Sequence, residues 1–234
     1  MNLMFKKEKR MPGFVSHSSN PIRGACAHDC DYCYMKGIYE RFGQDQTLRL
    51  DEKELQCDYG KGRFIFMGSS RDAWQAEVPT EWIVRMYDHC LEYPGNKYLL
   101  QSKNPMRFLE PGLISHPLME KKEILVFGTT LESNREYKVS KAPCVTERIE
   151  AIKRLHDIGF KVALLIEPLM DFDVPAMFQL ISEAQPCMVA IGLNTSRRVK
   201  LPEPTKDKVI TLLQGIEQMG VTIYQKDSLK NFLK

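Results

Sequence analysis

Cys26, Cys30 and Cys33 lie in the stretch PIRGACAHDCDYCYMKG at the spacing CxxxCxxC. Three thiolates this close in sequence can hold three irons of a four-iron cluster and leave the fourth iron open. Short gaps let a single loop wrap such a cluster without help from distant chain. A structural zinc site is the main alternative, and it wants four protein ligands, commonly in two well-separated pairs. No second cysteine pair is present. His28 lies two residues from both Cys26 and Cys30, too near to complete a tetrahedron comfortably. A zinc- or iron-sulfur-binding module without turnover stays open at this point. The odd total of seven cysteines speaks against a paired, secreted framework. An electron-transfer ferredoxin would add a fourth cysteine at regular spacing, whereas Cys57, Cys90, Cys144 and Cys187 are scattered singly.

The elements that must position this loop follow from the pattern of apolar residues. RFIFMGS, KYLLQSK, EILVFGTT, KVALLIEP and MVAIGLN are short, nearly continuous apolar runs that close in small or polar residues, as buried parallel strands do. A first strand is expected near FVSHSSNPI, and VTIYQ is a candidate final one. Helical patterns separate them: PTEWIVRMYDHCLEY, VTERIEAIKRLHDIG with a cap at Thr146 and a stop at Gly159, VPAMFQLISEAQP, and KDKVITLLQGIEQMG. Repeated strand and helix units imply an α/β fold with a parallel sheet, either open or curled into a barrel. Six units suit 234 residues better than the eight of a complete barrel, which needs about 250.

At 43% hydrophobic the chain has an ordinary globular composition, read as one domain. Its parts are a basic leader over 1–12 with Lys6, Lys7, Lys9 and Arg10, a core over about 13–194, and a C-terminal helix and strand over about 195–234. No apolar run reaches membrane-spanning length, so a cytoplasmic chain is expected. The net charge of +3 tolerates an anionic partner without announcing nucleic acid.

The cysteine loop resembles that of the radical S-adenosylmethionine (SAM) superfamily. GTTLESN, TERIEAIKRLHDIGF and IEPLMDF resemble the spore photoproduct lyase-like branch, with its threonine-rich strand end, ER(I)xA helix and I-E/D-P strand end. FMGSSRDAWQAEVP and LLQSKNPMRF resemble phage-associated members of unassigned substrate. The resemblance runs from about Pro21 to Asn194 and implies a partial (βα)6 TIM-type barrel with parallel strands, the cluster loop following the first strand. It also implies a 4Fe-4S cluster whose open iron binds SAM, and one electron from the cluster that splits SAM to a 5′-deoxyadenosyl radical. A one-electron reductant such as flavodoxin or ferredoxin is then a partner.

Ligands of such folds gather at the carboxyl ends of the strands, and those ends supply the candidate SAM contacts. Tyr32 occupies the aromatic position that packs on adenine in the superfamily. Gly68, Ser69 and Ser70 stand where the superfamily often has GGE, with serine hydroxyls in place of the glutamate as acceptors for the SAM ammonium. Lys103 is expected to project toward the mouth, to a SAM carboxylate or an acidic substrate. Thr130, Glu132 and Asn134 close the fourth strand, and a carboxylate beside an amide suits the paired hydroxyls of a ribose. Glu167 is a second ribose candidate and, flanked by apolar residues, requires a partner. Cys144 precedes the fourth helix on the cluster side; a buried structural thiol is its default reading, a hydrogen-atom donor the alternative.

For the substrate, the resemblance suggests a nucleic acid or nucleotide, and Arg197, Arg198 and Lys200 in SRRVK are placed to meet phosphates. Asp72, Glu77, Asp171 and Asp173 at the same end argue the other way, leaving a peptide or small metabolite open.

Overall fold

The five apolar runs and the two further strand candidates form one parallel sheet: β1 (His17–Ser19), β2 (Phe64–Met67), β3 (Lys97–Gln101), β4 (Leu125–Thr130), β5 (Lys161–Ile166), β6 (Met188–Ile191) and β7 (Thr222–Gln225). Each strand pairs in parallel with the next in chain order, so every crossover moves the chain by one strand. The computed structural model describes the backbone of Phe5–Lys6, which pairs antiparallel with β1, and residues 13–234. The expected basic leader otherwise lies outside the described residues. Phe14, entering β1, has its ring 5.0 Å from that of Tyr224 in β7, so the two ends of the sheet curl toward each other. The result is the expected partial barrel, with VTIYQ as its seventh parallel strand.

Both faces of the sheet are covered, which is why its strands read as unbroken apolar runs. Val15, Leu99, Val126 and Ala163 pack together as one buried cluster on the inside of the curl. The alternate positions Met67, Leu100, Phe127, Leu164 and Ile191 belong to the larger core under the helices. Those helices are α1 (Tyr34–Phe42), α2 (Thr80–Glu92), α3 (Val145–Asp157), α4 (Val174–Ala184), α5 (Lys206–Gln218) and α6 (Asp227–Leu233). Apolar residues three and four apart give each crossover helix a buried stripe: Ile149, Ile152 and Leu155 in α3, Val209, Leu212, Leu213 and Ile216 in α5. Prolines 105, 111 and 117 each open a turn of only four or five residues, so the crossover from β3 to β4 has no long helix.

One helix start and one whole helix differ from the sequence expectation. α3 starts at Val145 with Cys144 as its cap, and Glu147 reaches back to accept the Cys144 amide at 3.1 Å. Thr146 therefore sits inside the first turn, where its hydroxyl meets the Cys144 sulfur at 3.1 Å. Gly159 (φ +92°) does end the helix. α6 was not anticipated as a separate helix, although Leu229 of α6 is completely buried. Among the described residues no helix is long and apolar enough to cross a membrane.

Candidate functional site

The cysteine loop leaves β1 and ends at α1, whose N-cap is Cys33. Two successive turns shape it, with the Asp29 amide donating to the Cys26 carbonyl and the Cys33 amide to the Cys30 carbonyl, each at 3.1 Å. The chain after β4 braces its outside: Asp31 donates to the Val139 carbonyl at 2.9 Å, and Lys141 to that of His28 at 2.7 Å.

From below, the brace is Asp72. His28 Nε2 stands 2.8 Å from Asp72 Oδ2, the same oxygen accepts the Lys103 amide at 2.7 Å, and the Ser102 hydroxyl lies 2.8 and 2.9 Å from the two carboxylate oxygens. One buried carboxylate thus ties the cysteine loop to the ends of β2 and β3. Asp72 was expected as an acidic residue in a mouth loop; its side chain is only 9% exposed and wholly engaged. His28 is tied to the ends of β2 and β3 by this bond.

Two of the cysteine sulfurs face side-chain donors. Gln75 Nε2 is 3.0 Å from Cys26 Sγ, Lys103 Nζ is 3.5 Å from Cys30 Sγ, and the amides of Met35 and Lys36 at the start of α1 favour the thiolate of Cys33. Burial opposes these donors. It pushes the Cys26 thiol up to about 11, with the Asp72 carboxylate adding to the effect, and raises Cys33 as well. Iron displaces such protons, since the coordinating sulfur is the thiolate. A loop with three free thiols, two of them served by side-chain hydrogen-bond donors, fits the donor set of an iron–sulfur cluster. Among the described residues no three His, Cys, Asp or Glu side chains converge on a single-ion site.

Beside the thiols lies a buried charge network. Glu132 Oε1 accepts from the Tyr32 hydroxyl at 2.5 Å and pairs with Lys103 Nζ at 2.6 Å; its Oε2 pairs with Arg148 Nη1 at 2.9 Å. Arg148 also donates to the Thr130 carbonyl at 2.6 Å. Lys103 contacts the Tyr32 hydroxyl and stands 4.6 Å from the centre of its ring. Burial works to raise the Glu132 carboxyl, but the two cations outweigh it and hold it well below the usual range. Burial likewise works to lower the Lys103 ammonium, and Glu132 keeps it above its ordinary value.

This network engages several of the expected contact residues with one another. Lys103 does not project freely into the mouth, because Glu132, Tyr32 and Cys30 take its ammonium. Tyr32 presents its ring to that ammonium. Glu132 has both oxygens occupied and does not stand with Asn134, whose side chain bonds Asp173, donating through Nδ2 at 3.2 Å and accepting its amide at 2.7 Å. Thr130 is buried, and its hydroxyl accepts from Gln101 at 3.1 Å.

The turn after β2 is held from outside its own sequence. Gly68 (φ +74°) has no room for a side chain, since a Cβ would lie 2.9 Å from the Arg71 carbonyl oxygen. Asn20 Oδ1 accepts from the Ser69 hydroxyl at 3.2 Å, the Ser70 hydroxyl at 2.9 Å and the Ser70 amide at 2.7 Å. Both hydroxyl protons are thereby spent, which leaves the serine oxygens as acceptors. Glu167 has the partner it required, Lys226 Nζ at 2.9 Å, across the mouth from the cysteine loop.

The remaining mouth residues are mostly paired. Glu77 meets Arg71 at 2.6 Å, Asp171 meets Lys208 at 2.6 Å, and Arg135 bridges Asp171 and Asp173. Arg198 is held by Glu40 at 2.6 Å, while Arg197 and Lys200 are exposed. Cys144 is exposed, not buried as its default reading required. Asn20, Gln75 and Arg148 escaped the sequence reading. Arg148 alone had a signal, as the arginine of the ER(I)xA pattern.

No family model matches the chain. An uncharacterized protein of Acidianus two-tailed virus, ORF301, is 24% identical over 166 residues, which is 62% of this chain and 53% of that protein. The chain thus spans about half the length of this curated relative, whose viral source accords with the expected phage-associated branch. Among solved structures, a cysteine-to-serine mutant of spore photoproduct lyase superposes with a TM-score of 0.66 at 12% identity, over 95% of this chain and 79% of that one. The lyase complexed with dinucleoside spore photoproduct gives 0.65 at 11% identity, over 95% and 78% of the two chains. A double mutant with bound S-adenosylmethionine and dinucleoside spore photoproduct gives 0.62 at 10% identity, over 91% and 76%. The chain therefore has the fold of spore photoproduct lyase, a radical SAM enzyme, over nearly all of its length.

Proposed function

We propose that this chain is a radical SAM enzyme acting on a nucleic-acid-related substrate. The observation that carries the reading is the cysteine loop, whose three free thiols, two of them facing side-chain hydrogen-bond donors, sit on a fold shared with spore photoproduct lyase. Cys26, Cys30 and Cys33 are the residues that would hold a 4Fe-4S cluster. When bound, that cluster supplies the electron for reductive cleavage of SAM to a 5′-deoxyadenosyl radical able to abstract hydrogen.

The chain's own residues bind, orient and exclude water around this chemistry. Ser69 and Ser70, with their protons committed to Asn20, offer acceptors for the SAM ammonium. Lys103, fixed between Glu132 and Cys30, brings positive charge to the edge of the cluster site. Glu167 remains the candidate for the ribose, with Glu132 acting behind it as the anchor of the buried cations. The nucleic-acid-related substrate is supported by the dinucleoside bound to the structural neighbour and by the exposed Arg197 and Lys200.

The reading is tested by anaerobic reconstitution with iron and sulfide, followed by SAM and dithionite. Iron and sulfide incorporation with release of 5′-deoxyadenosine is the expected result. A chain that takes up zinc in preference to iron, and leaves SAM intact, would overturn it.

A further inference from the structure

Gln75 belongs to no recognisable pattern, yet it is the side chain most tightly built against the cysteine loop. It lies in the segment between β2 and α2 and is 1% exposed. Its amide orientation is determined by its neighbours. One terminal atom receives the Ala27 amide at 3.0 Å and Arg71 Nη2 at 3.0 Å. Both neighbours are obligate donors, so that atom is the carbonyl oxygen and the other is the NH2 group. The NH2 group is the one 3.0 Å from Cys26 Sγ.

Arg71 locks the arrangement. Its side chain is 1% exposed, and its Nη2 is shared between Gln75 and Glu77 Oε1, the latter at 2.6 Å. The Cys26 sulfur is thus served by a neutral amide that cannot rotate away without stranding both Ala27 and Arg71.

We propose that Gln75 tunes the cluster, donating an N–H···S hydrogen bond to the Cys26 thiolate and raising the reduction potential; this rests on the cluster assignment made above. A donor aimed at a ligating sulfur stabilises the more negative, reduced state more than the oxidised one. Lys103 does the same for Cys30 but also anchors Glu132, so removing it disturbs charge and packing together. Gln75 can be changed almost isosterically.

The test is a redox titration of the reconstituted full chain followed by the EPR signal of the reduced cluster, with iron and sulfide content measured alongside. Gln75→Glu keeps an acceptor for Ala27 and Arg71 and replaces the donor with a carboxylate oxygen; Gln75→Leu removes both. Both variants should retain iron and shift the potential to more negative values, Gln75→Glu further than Gln75→Leu. In the parent, nitrogen-15 labelling of glutamine should produce a hyperfine coupling to the reduced cluster in pulsed EPR. Unchanged potentials at full iron content, iron loss from both variants, or no such coupling in the parent would each overturn the proposal. A parent chain that loads no iron would instead remove the cluster assignment itself.

Discussion

Glu132 neutralises two buried cations at once, and its replacement strands both. Glu132→Ala should lower stability by about 3–5 kcal/mol in urea unfolding, because Lys103 and Arg148 would be left as uncompensated buried charges. A residue that only touched SAM would leave the unfolding midpoint where it was. The pH dependence has a definite sign. The folded chain holds this carboxyl below its ordinary 4.5, so the unfolded chain binds the proton more readily. The stability it contributes is complete above that value and is lost as the pH falls from there toward the folded value. Urea midpoints measured from about pH 6 down to pH 3 should show this loss, and Glu132→Gln should flatten it. At the cysteines, Cys30→Ala should lose most of the cluster and all SAM cleavage. Cys57→Ala, whose thiol is buried and bonds the Lys53 carbonyl at 3.5 Å, should lose neither. Iron analysis and a 5′-deoxyadenosine assay separate the two.

At the scale of elements, the turn after β2 depends on a glycine for geometric reasons. Gly68→Ala should cost about 1–3 kcal/mol, since the left-handed backbone and the nearby Arg71 carbonyl both resist a Cβ. Thermal unfolding of the unloaded chain checks it. α6 packs beside the end of β6, where the Ser228 hydroxyl accepts the Leu193 amide at 3.0 Å, and Leu229→Ala should cost about 2–5 kcal/mol by the same measurement. The six strand–helix units were legible because the central strands β3 to β6 are buried on both faces, which leaves continuous apolar runs, and each long helix carries a stripe of period three to four. α6 was harder to see: it is seven residues long, with Leu229, Phe232 and Leu233 as its apolar positions. The candidate site was legible only where residues sit close in sequence. Cys26, Cys30 and Cys33 form a local pattern, whereas Gln75 meets Cys26 across 49 residues and Tyr32 meets Glu132 across 100. Such pairs are made by the sheet's strand order, and no spacing rule encodes them. For the same reason Glu132 and Asn134, two residues apart, end in separate networks.

For the whole molecule, the proposed substrate surface is a balance of charges rather than a basic stripe. Arg198 is already held by Glu40, so Arg197 and Lys200 are the residues proposed to meet phosphate. Arg197→Ala should reduce the salt dependence of oligonucleotide binding by about one counterion, and Arg198→Ala by less. Binding isotherms at two salt concentrations decide it, and identical slopes for the parent and both variants would remove nucleic acid from consideration at this surface. The brace around the cysteine loop has a different consequence, for the lifetime of the protein in air. Asp72, the Val139 carbonyl and the Lys141 amide hold the loop through bonds that involve no iron. Oxygen that strips the cluster therefore removes a cofactor without removing the vessel that holds it. The bleached chain should keep its cooperative unfolding transition and take up iron and sulfide again without a refolding step, which makes damage of this kind repairable in place.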